Sequence, residues 1–573
     1  MALGRRPSPG PRVFEKRVIN MSKHNPLSWF STRATAQNQP IPGTDQVPNS
    51  AGGHAWAIDD WSRLRRFLIL GVDGPSYYAS ERQLVKENAD AVLRCIQLDG
   101  KRTVDEIIAV SVAGRNPKQQ PVLFALAACS AADDPDTRAR ALAALPTVCR
   151  TGTQLFLFAG FVEQFRGWGR GLRRAVGAWY VERDPDALAY QLIKYQQREG
   201  WSHRDLLRLA KPQPDRDSPT DIALRWAVGK TPEGLPPGAP ALMHAHQAAL
   251  TAESPSAAAA LVTQSRLPWE ALRSEDLRSP EVWNALIPTM GLGALVRNLG
   301  RMTSNGTLAA GNAAVDVLLA RLADRDAIRA ARLHPISVLA ALITYRNGRG
   351  TRGHAKWDPI TAIVDALDAA FYAAFANAEP AGKRTLLALD VSGSMSAGVV
   401  AGVVGLSPRI ASAAMAAVTL ATEPKVESVA FTSKGSGYWA SPNRTRQFNF
   451  PYGISPLSLS SRQRLDDILT TVSGLPFGGT DCSLPMLYAL DKGIKVDHFV
   501  VYTDSETWAG EIHPAQALRR YRERTGIAAK LTVVGMVSNG FSIADPKDSG
   551  MLDIVGFDTA APQLMADFAA GRL

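Results

Sequence analysis

Cysteine is scarce in this chain: four residues in 573, Cys95, Cys129, Cys149 and Cys482. They stand far apart, with no C-x-x-C pair and no histidine at metal-ligand spacing. That excludes a zinc ribbon and a disulfide framework and reads as buried thiols in a reducing compartment. No apolar run approaches the ~18 residues that a membrane-spanning helix needs, so no membrane partner is expected. The first 50 residues lack the apolar stretch of a secretory signal. Residues 1–53 are expected to form a disordered arm, with Met21 a candidate start beside Met1, and the protein is expected to be cytoplasmic. Acidic residues are also in deficit: 53 Asp and Glu against 64 Lys and Arg, a net charge of +11. A surplus of that sign favours an anionic partner, most often nucleic acid.

What the chain does have is enough apolar residue, 46%, to fold over most of its length. The length corresponds to roughly three to four domain equivalents. Residues 54–377 read as successive short helices with Gly/Pro/Asp connections such as Asp133-Asp-Pro-Asp136. This is the pattern of a HEAT-like helical repeat, although its period is irregular. After Ala378-Glu-Pro-Ala-Gly-Lys383 the texture changes. Strands are expected at Thr385–Asp390, Val426–Phe431, Asp497–Thr503, Lys530–Met536 and Asp553–Gly556, with helices between them. Residues 378–573 therefore read as an α/β domain with a doubly wound parallel sheet.

The stretch Thr385-Leu-Leu-Ala-Leu-Asp-Val-Ser-Gly-Ser-Met395 joins a buried strand to Asp390-x-Ser392-x-Ser394. One carboxylate and two hydroxyls then stand at the carboxyl end of a strand, where open α/β sheets bind ligands. Mg²⁺ takes about six oxygens and keeps several waters, so these three make a partial shell. Thr480, in Gly478-Gly-Thr-Asp481, and Asp504, which ends Phe499-Val-Val-Tyr-Thr-Asp504, can complete it from neighbouring strand ends. The five residues, in this order, resemble the metal-ion-dependent adhesion site of von Willebrand factor A domains.

A second run is basic. Arg166, Arg170, Arg173 and Arg174 fall at i, i+4, i+7 and i+8, one face of a helix whose other face is Leu172, Val176 and Trp179. The next helix is expected to carry Lys194 and Arg198. A third, capped by Ser202 with Asp205 three residues on, presents His203, Arg204 and Arg208. Basic residues outnumber acids about two to one between Arg166 and Lys211. Three cationic helices in succession make a candidate RNA or phosphate surface, set against the alternative that the arginines pair with Glu163, Glu182 or Glu199. Trp168 and Trp201 can stack on bases or sit in the core. Arg346-Asn-Gly-Arg-Gly-Thr-Arg352 is a further cationic loop.

Several of these runs resemble one family. Cys149-Arg-Thr-Gly-Thr-Gln154, Arg166-Gly-Trp-Gly-Arg-Gly-Leu-Arg-Arg174, Gly200-Trp-Ser-His-Arg-Asp-Leu-Leu-Arg208 and His334-Pro-Ile-Ser337 are similar to the TROVE module of Ro autoantigen-type RNA-binding proteins. Gly478-Gly-Thr-Asp-Cys-Ser-Leu-Pro485, Tyr502-Thr-Asp-Ser-Glu-Thr-Trp508 and Gly540-Phe-Ser-Ile-Ala-Asp545 are similar to the same family's A domain. The resemblance implies a HEAT-like helical ring joined to a von Willebrand factor A-like domain. It implies a divalent cation, Mg²⁺ above others, on Asp390, Ser392, Ser394, Thr480 and Asp504. The implied partners are noncoding Y-like RNA on the ring's outer surface and misfolded RNA whose single-stranded 3′ end enters the hole. Polynucleotide phosphorylase or another exoribonuclease is an implied protein partner, and a one-chain ring implies a monomer.

Two rival readings make different demands. A Mg²⁺ hydrolase needs a positioned base and a second metal or cationic clamp, and Asp390-Val-Ser lacks the second acid of a phosphatase motif. No catalysis is expected. A metal-dependent protein-binding scaffold, in which a partner's acidic side chain supplies the last ligand, is compatible with the A domain and leaves the basic run unexplained.

Overall fold

The computed structural model describes residues 34–573 except 73–80, 199, 232–233, 351–354, 376–377, 401–402, 404, 435–452 and 476–477. Residues 1–33 of the expected arm, Glu199 and Arg352 lie outside the described residues.

From Asp60–Leu70 to Thr361–Ala373 the chain is a succession of short helices. Many begin in the same way. Asp134, Asp184, Ser218, Ser254 and Ser279 each accept an amide hydrogen of the first turn, and each is followed by a proline. Proline has no N–H to leave unsatisfied there and its φ already suits a helix. The segment Glu81–Val112 breaks at Asp99 (φ −158°, ψ 91°), whose carboxylate accepts from Arg102 N at 2.9 Å and starts a new helix. The last repeats return to the first. Arg332 Nε donates to Val112 O at 2.9 Å, and His334 Nε2 lies 3.1 Å from Arg115 O, so the helices close on themselves as a ring.

Strands Val47–Pro48 (β1), His54–Ala57 (β2), Gln197–Arg198 (β3) and Trp201–Ser202 (β4) lie in or beside this half. The α/β half contributes Thr385–Asp390 (β5), Val426–Phe431 (β6), Ile454–Leu457 (β7), His498–Thr503 (β8), Lys530–Gly535 (β9), Phe541–Ser542 (β10) and Met551–Val555 (β11). Its six-stranded sheet has the order β11-β9-β8-β5-β6-β7. Five strands are parallel, and β7 runs antiparallel to β6 at the edge. The expected parallel sheet thus gains an antiparallel edge strand that the sequence reading did not place. Pro456 of β7 has no N–H to give a ladder, which an edge strand tolerates. Successive residues of β5 face opposite layers. Leu387 and Leu389 join the apolar core that is continuous with the helical half, while Leu386 and Ala388 join a second core with Phe499, Leu518 and Tyr521.

The expectation of a disordered arm through residue 53 is also corrected. Residues 34–57 form a strap across the α/β domain. Gln37 is fully buried, β2 pairs with β1 on one side and β10 on the other, and Trp56 enters the second core. The bonds that hold it span hundreds of residues, so no local pattern of the arm announces them. The strap leads into helix Asp60–Leu70, whose Arg66 is 1% exposed and lies in the α/β domain. It donates to both Asp553 carboxylate oxygens at 2.6 and 2.7 Å and to Asn539 Oδ1 at 3.0 Å. Arg115 Nε donates to Asp558 at 2.8 Å, and Arg464 pairs with Asp365. Both ends of the ring are thus fastened to one domain.

Candidate metal centre and nucleic-acid interface

Asp390, Ser392, Ser394 and Asp504 come together at the ends of two neighbouring strands, and Thr480 stands on a loop bonded to both. Asp390 ends β5, Asp504 follows β8, and Thr480 lies on the loop between β7 and β8 that precedes helix Leu484–Asp491. The loops are knitted together: Gly393 N donates to Gly478 O, Asp481 N to Thr432 O, and both Trp508 N and Ala509 N to Thr480 O. All five residues are buried. Asp390 Oδ1 accepts from Ser392 N at 2.9 Å and Oδ2 from Thr503 Oγ1 at 2.7 Å, and Ser392 Oγ lies 3.1 Å from Ser394 Oγ. Ser505 holds a left-handed backbone (φ 62°) directly after Asp504, with its N–H on Thr503 Oγ1 at 3.0 Å. Strain of this kind persists only where surrounding bonds over-determine it.

Burial first, and the Asp504 carboxylate second, push Asp390 well above the usual carboxylate range; burial also raises Asp504. Neither makes an ion pair with Lys or Arg among the described residues. Thr480 Oγ1 is buried without a hydrogen-bond partner. Two buried carboxylates without a direct ion pair and an orphaned hydroxyl fit a site that a cation would complete. The donor set is oxygen only, and no group of three or more His, Cys, Asp or Glu gathers among the described residues. Hard ions such as Mg²⁺ or Mn²⁺ fit it, and zinc does not.

The basic run divides. Arg170, Arg173 and Arg174 are exposed on helix Arg170–Val181, whose opposite face buries Leu172, Val176, Trp179 and Tyr180. Arg204 and Arg208 are exposed on helix His203–Ala210, which packs against it. None of these five arginines forms an ion pair among the described residues, so the alternative pairing with Glu163 or Glu182 is absent.

The other candidates need correction. His203 is buried, with Nδ1 2.8 Å from Tyr180 Oη and Nε2 3.3 Å from Gln191 O. Burial holds it down at about 4, neutral and out of a ligand's reach. It positions the helices rather than touching RNA, because the capping box of Ser202 and Asp205 sets the first helical residue inward. Arg166 lies after helix Gly152–Phe165 in extended backbone and donates to Ser130 O, so it is not on the arginine face. Helix Pro185–Lys194 ends before Arg198, which sits instead in the β3–β4 hairpin. Lys194 is half-buried, 2.9 Å from Tyr190 Oη and over the rings of Tyr190 and Tyr195. Trp168 and Trp201 pack on one another, 5.9 Å between centroids, against the core.

A family model described as the Ro60 vWA domain matches residues 384–569, and one described as the TROVE domain matches residues 47–229 and 261–344. The RNA-binding protein RO60 of Deinococcus radiodurans is 42% identical over 530 residues, 92% of this chain and 96% of that protein. The chain belongs to the Ro60 family. The RNA-binding protein RO60 of Caenorhabditis elegans is 35% identical over 605 residues, 92% of this chain and 90% of that one. The crystal structure of the Deinococcus radiodurans RO (RSR) protein matches with a TM-score of 0.66 at 41% identity, covering 90% of this chain and 100% of that one.

Some residues of this Ro60-family centre escape motif reading. Thr503 holds Asp390. Gln37 Nε2 donates to Asp481 Oδ1 at 2.8 Å, and Asn539 Nδ2 donates to Asp504 O at 2.6 Å. Thr503 lies beside the motif in a strand ending and is findable from sequence. Gln37 and Asn539 carry no such signal.

Proposed function

We propose that this chain is a non-catalytic RNA-binding protein of RNA quality control. Its helical ring takes noncoding Y-like RNA on the outside and the single-stranded 3′ end of misfolded RNA in the hole. The observation that carries this reading is the exposed face of Arg170, Arg173, Arg174, Arg204 and Arg208 in a TROVE module, without an ion pair among the described residues. Phosphate contacts of this kind supply sequence-independent, salt-sensitive affinity, so choice of RNA comes from shape and a free end. Asp390, Ser392, Ser394, Thr480 and Asp504 hold a divalent cation, Mg²⁺ first. An acidic side chain of a partner would complete the ligand set of that cation, and an exoribonuclease such as polynucleotide phosphorylase is the partner we infer. The protein acts as a cytoplasmic monomer. No helix of the described residues is long and apolar enough to cross a membrane.

The test is a gel-shift salt series with a hairpin RNA, with and without a single-stranded 3′ tail. Tighter binding of the tailed RNA with a steep salt slope supports the reading. Equal binding of both RNAs removes the hole from it, and no binding at moderate salt overturns it.

A further inference from the structure

Metal ligands are held in place by the groups behind them, and here those groups come from the far end of the chain. The side-chain amide of Gln37 bridges both loops of the centre. Its Nε2 donates to Asp481 Oδ1, next to Thr480, and to Ile512 O, each at 2.8 Å. Its Oε1 accepts from Thr507 Oγ1 and, at 3.2 Å, from Gly510 N. The backbone joins in, with Gln37 N donating to Gly510 O at 2.9 Å. A Cβ on Gly510 would stand 2.3 Å from both Gln37 Nε2 and Asp481 Oδ1, so only glycine admits this approach.

Asn49 repeats the grip further along. Its Nδ2 donates to Thr507 O at 2.8 Å, while Ala51 N donates to Glu506 Oε2 at 3.2 Å. From the opposite side Asn539 holds Asp504 O and is itself held by Arg66. The loop of Asp504 is therefore clasped between the strap and the first helix of the ring, and β2 connects the two.

We propose that the strap of residues 34–57 is a positioning device for the metal centre, coupling cation binding to the docking of the ring's first helix. By holding the Thr480 and Asp504 loops in register, Gln37 and Asn49 order the ligands before the ion arrives. Outer partners of metal ligands commonly change affinity by about 10–100-fold. Linkage makes the effect reciprocal: an ion that binds the clasped state tightens the strap. The inference rests on the metal reading above.

The test uses the full chain and Mn²⁺ or Mg²⁺ alone. Calorimetry with Mn²⁺ on the wild type and on Gln37→Ala is expected to give a Kd about tenfold higher for the variant, with an altered Mn²⁺ EPR spectrum. Hydrogen exchange on the unmodified chain needs no substitution: Mg²⁺ is expected to slow exchange in residues 34–57, and to do nothing there in Asp390→Ala. A wild type that binds no Mn²⁺ overturns the metal reading and this proposal together. A wild type that binds, with Gln37→Ala within twofold of it or a strap whose exchange ignores Mg²⁺, overturns the coupling alone.

Discussion

The two candidate sites of this molecule are built on opposite principles. The candidate metal centre is enclosed, and its loops are fixed by hydrogen bonds from three strand ends and a strap. The arginine face is open and held only by the apolar side of the helices beneath it. The first can discriminate by coordination geometry, because its ligands have few other places to go. The second can offer charge and shape, and its affinity must follow ionic strength. A protein with both can change its RNA contacts by small surface substitutions without disturbing the centre, while the centre tolerates little.

The sharpest way to test that separation is at Arg66, which belongs to the ring and is buried in the other domain. Arg66→Ala strands the partly buried Asp553 carboxylate and the Asn539 amide, and is expected to cost about 3–5 kcal/mol of stability in chemical denaturation. A cost near zero would mean that the two halves are only loosely joined.

Acid acts next, and on both halves, since burial also holds His498 of the α/β sheet down at about 3. Burial holds His203 and His334 of the helical half at about 4, against an ordinary 6.5. Between those values the unfolded chain binds more protons than the folded one. Stability is therefore complete above pH 6.5 and is lost as pH falls toward 4, by up to about 3 kcal/mol per ring. Region-resolved hydrogen exchange between pH 7 and 4.5 is expected to show helices Arg170–Val181 and Pro335–Arg346 loosening. Unchanged protection there would contradict the buried, neutral placement.

The sites themselves come after. Asp390→Ala is expected to weaken Mn²⁺ binding at least about 100-fold by calorimetry, on the scale of a lost hard-ion ligand, and to leave RNA affinity within threefold. The smallest effect is on the open face. Arg170→Ala with Arg174→Ala is expected to lower the salt slope of RNA binding by about two and to weaken affinity about tenfold. If the metal variant loses RNA, or the arginine pair loses metal, the two sites are not independent.

Legibility followed the same division. The candidate ligands were readable because a short loop at a strand end must carry them at fixed spacing, and hydrogen bonds between those loops bring them into one region. The arginine face was readable as helical periodicity, but the inward turn of His203 and the end of the helix at Lys194 were not. Periodicity says which residues share a face and is silent on where a helix stops and which side meets a neighbour. Arg166 fails for the same reason, since its spacing continues a helix that the chain leaves at Phe165.

By itself the sequence determined the alternation of helices and then of strands and helices, and it picked out the oxygen-bearing residues of the candidate centre. Each depends on local spacing and on residues within one turn or one strand. The tertiary structure alone decided that residues 34–57 are a strap rather than an arm, that Arg66 is buried in the second domain, and that the ring closes through Arg332 and His334. These depend on pairs of residues about 220 to 490 positions apart, and a buried amide or guanidinium is stable only where such a distant partner satisfies it.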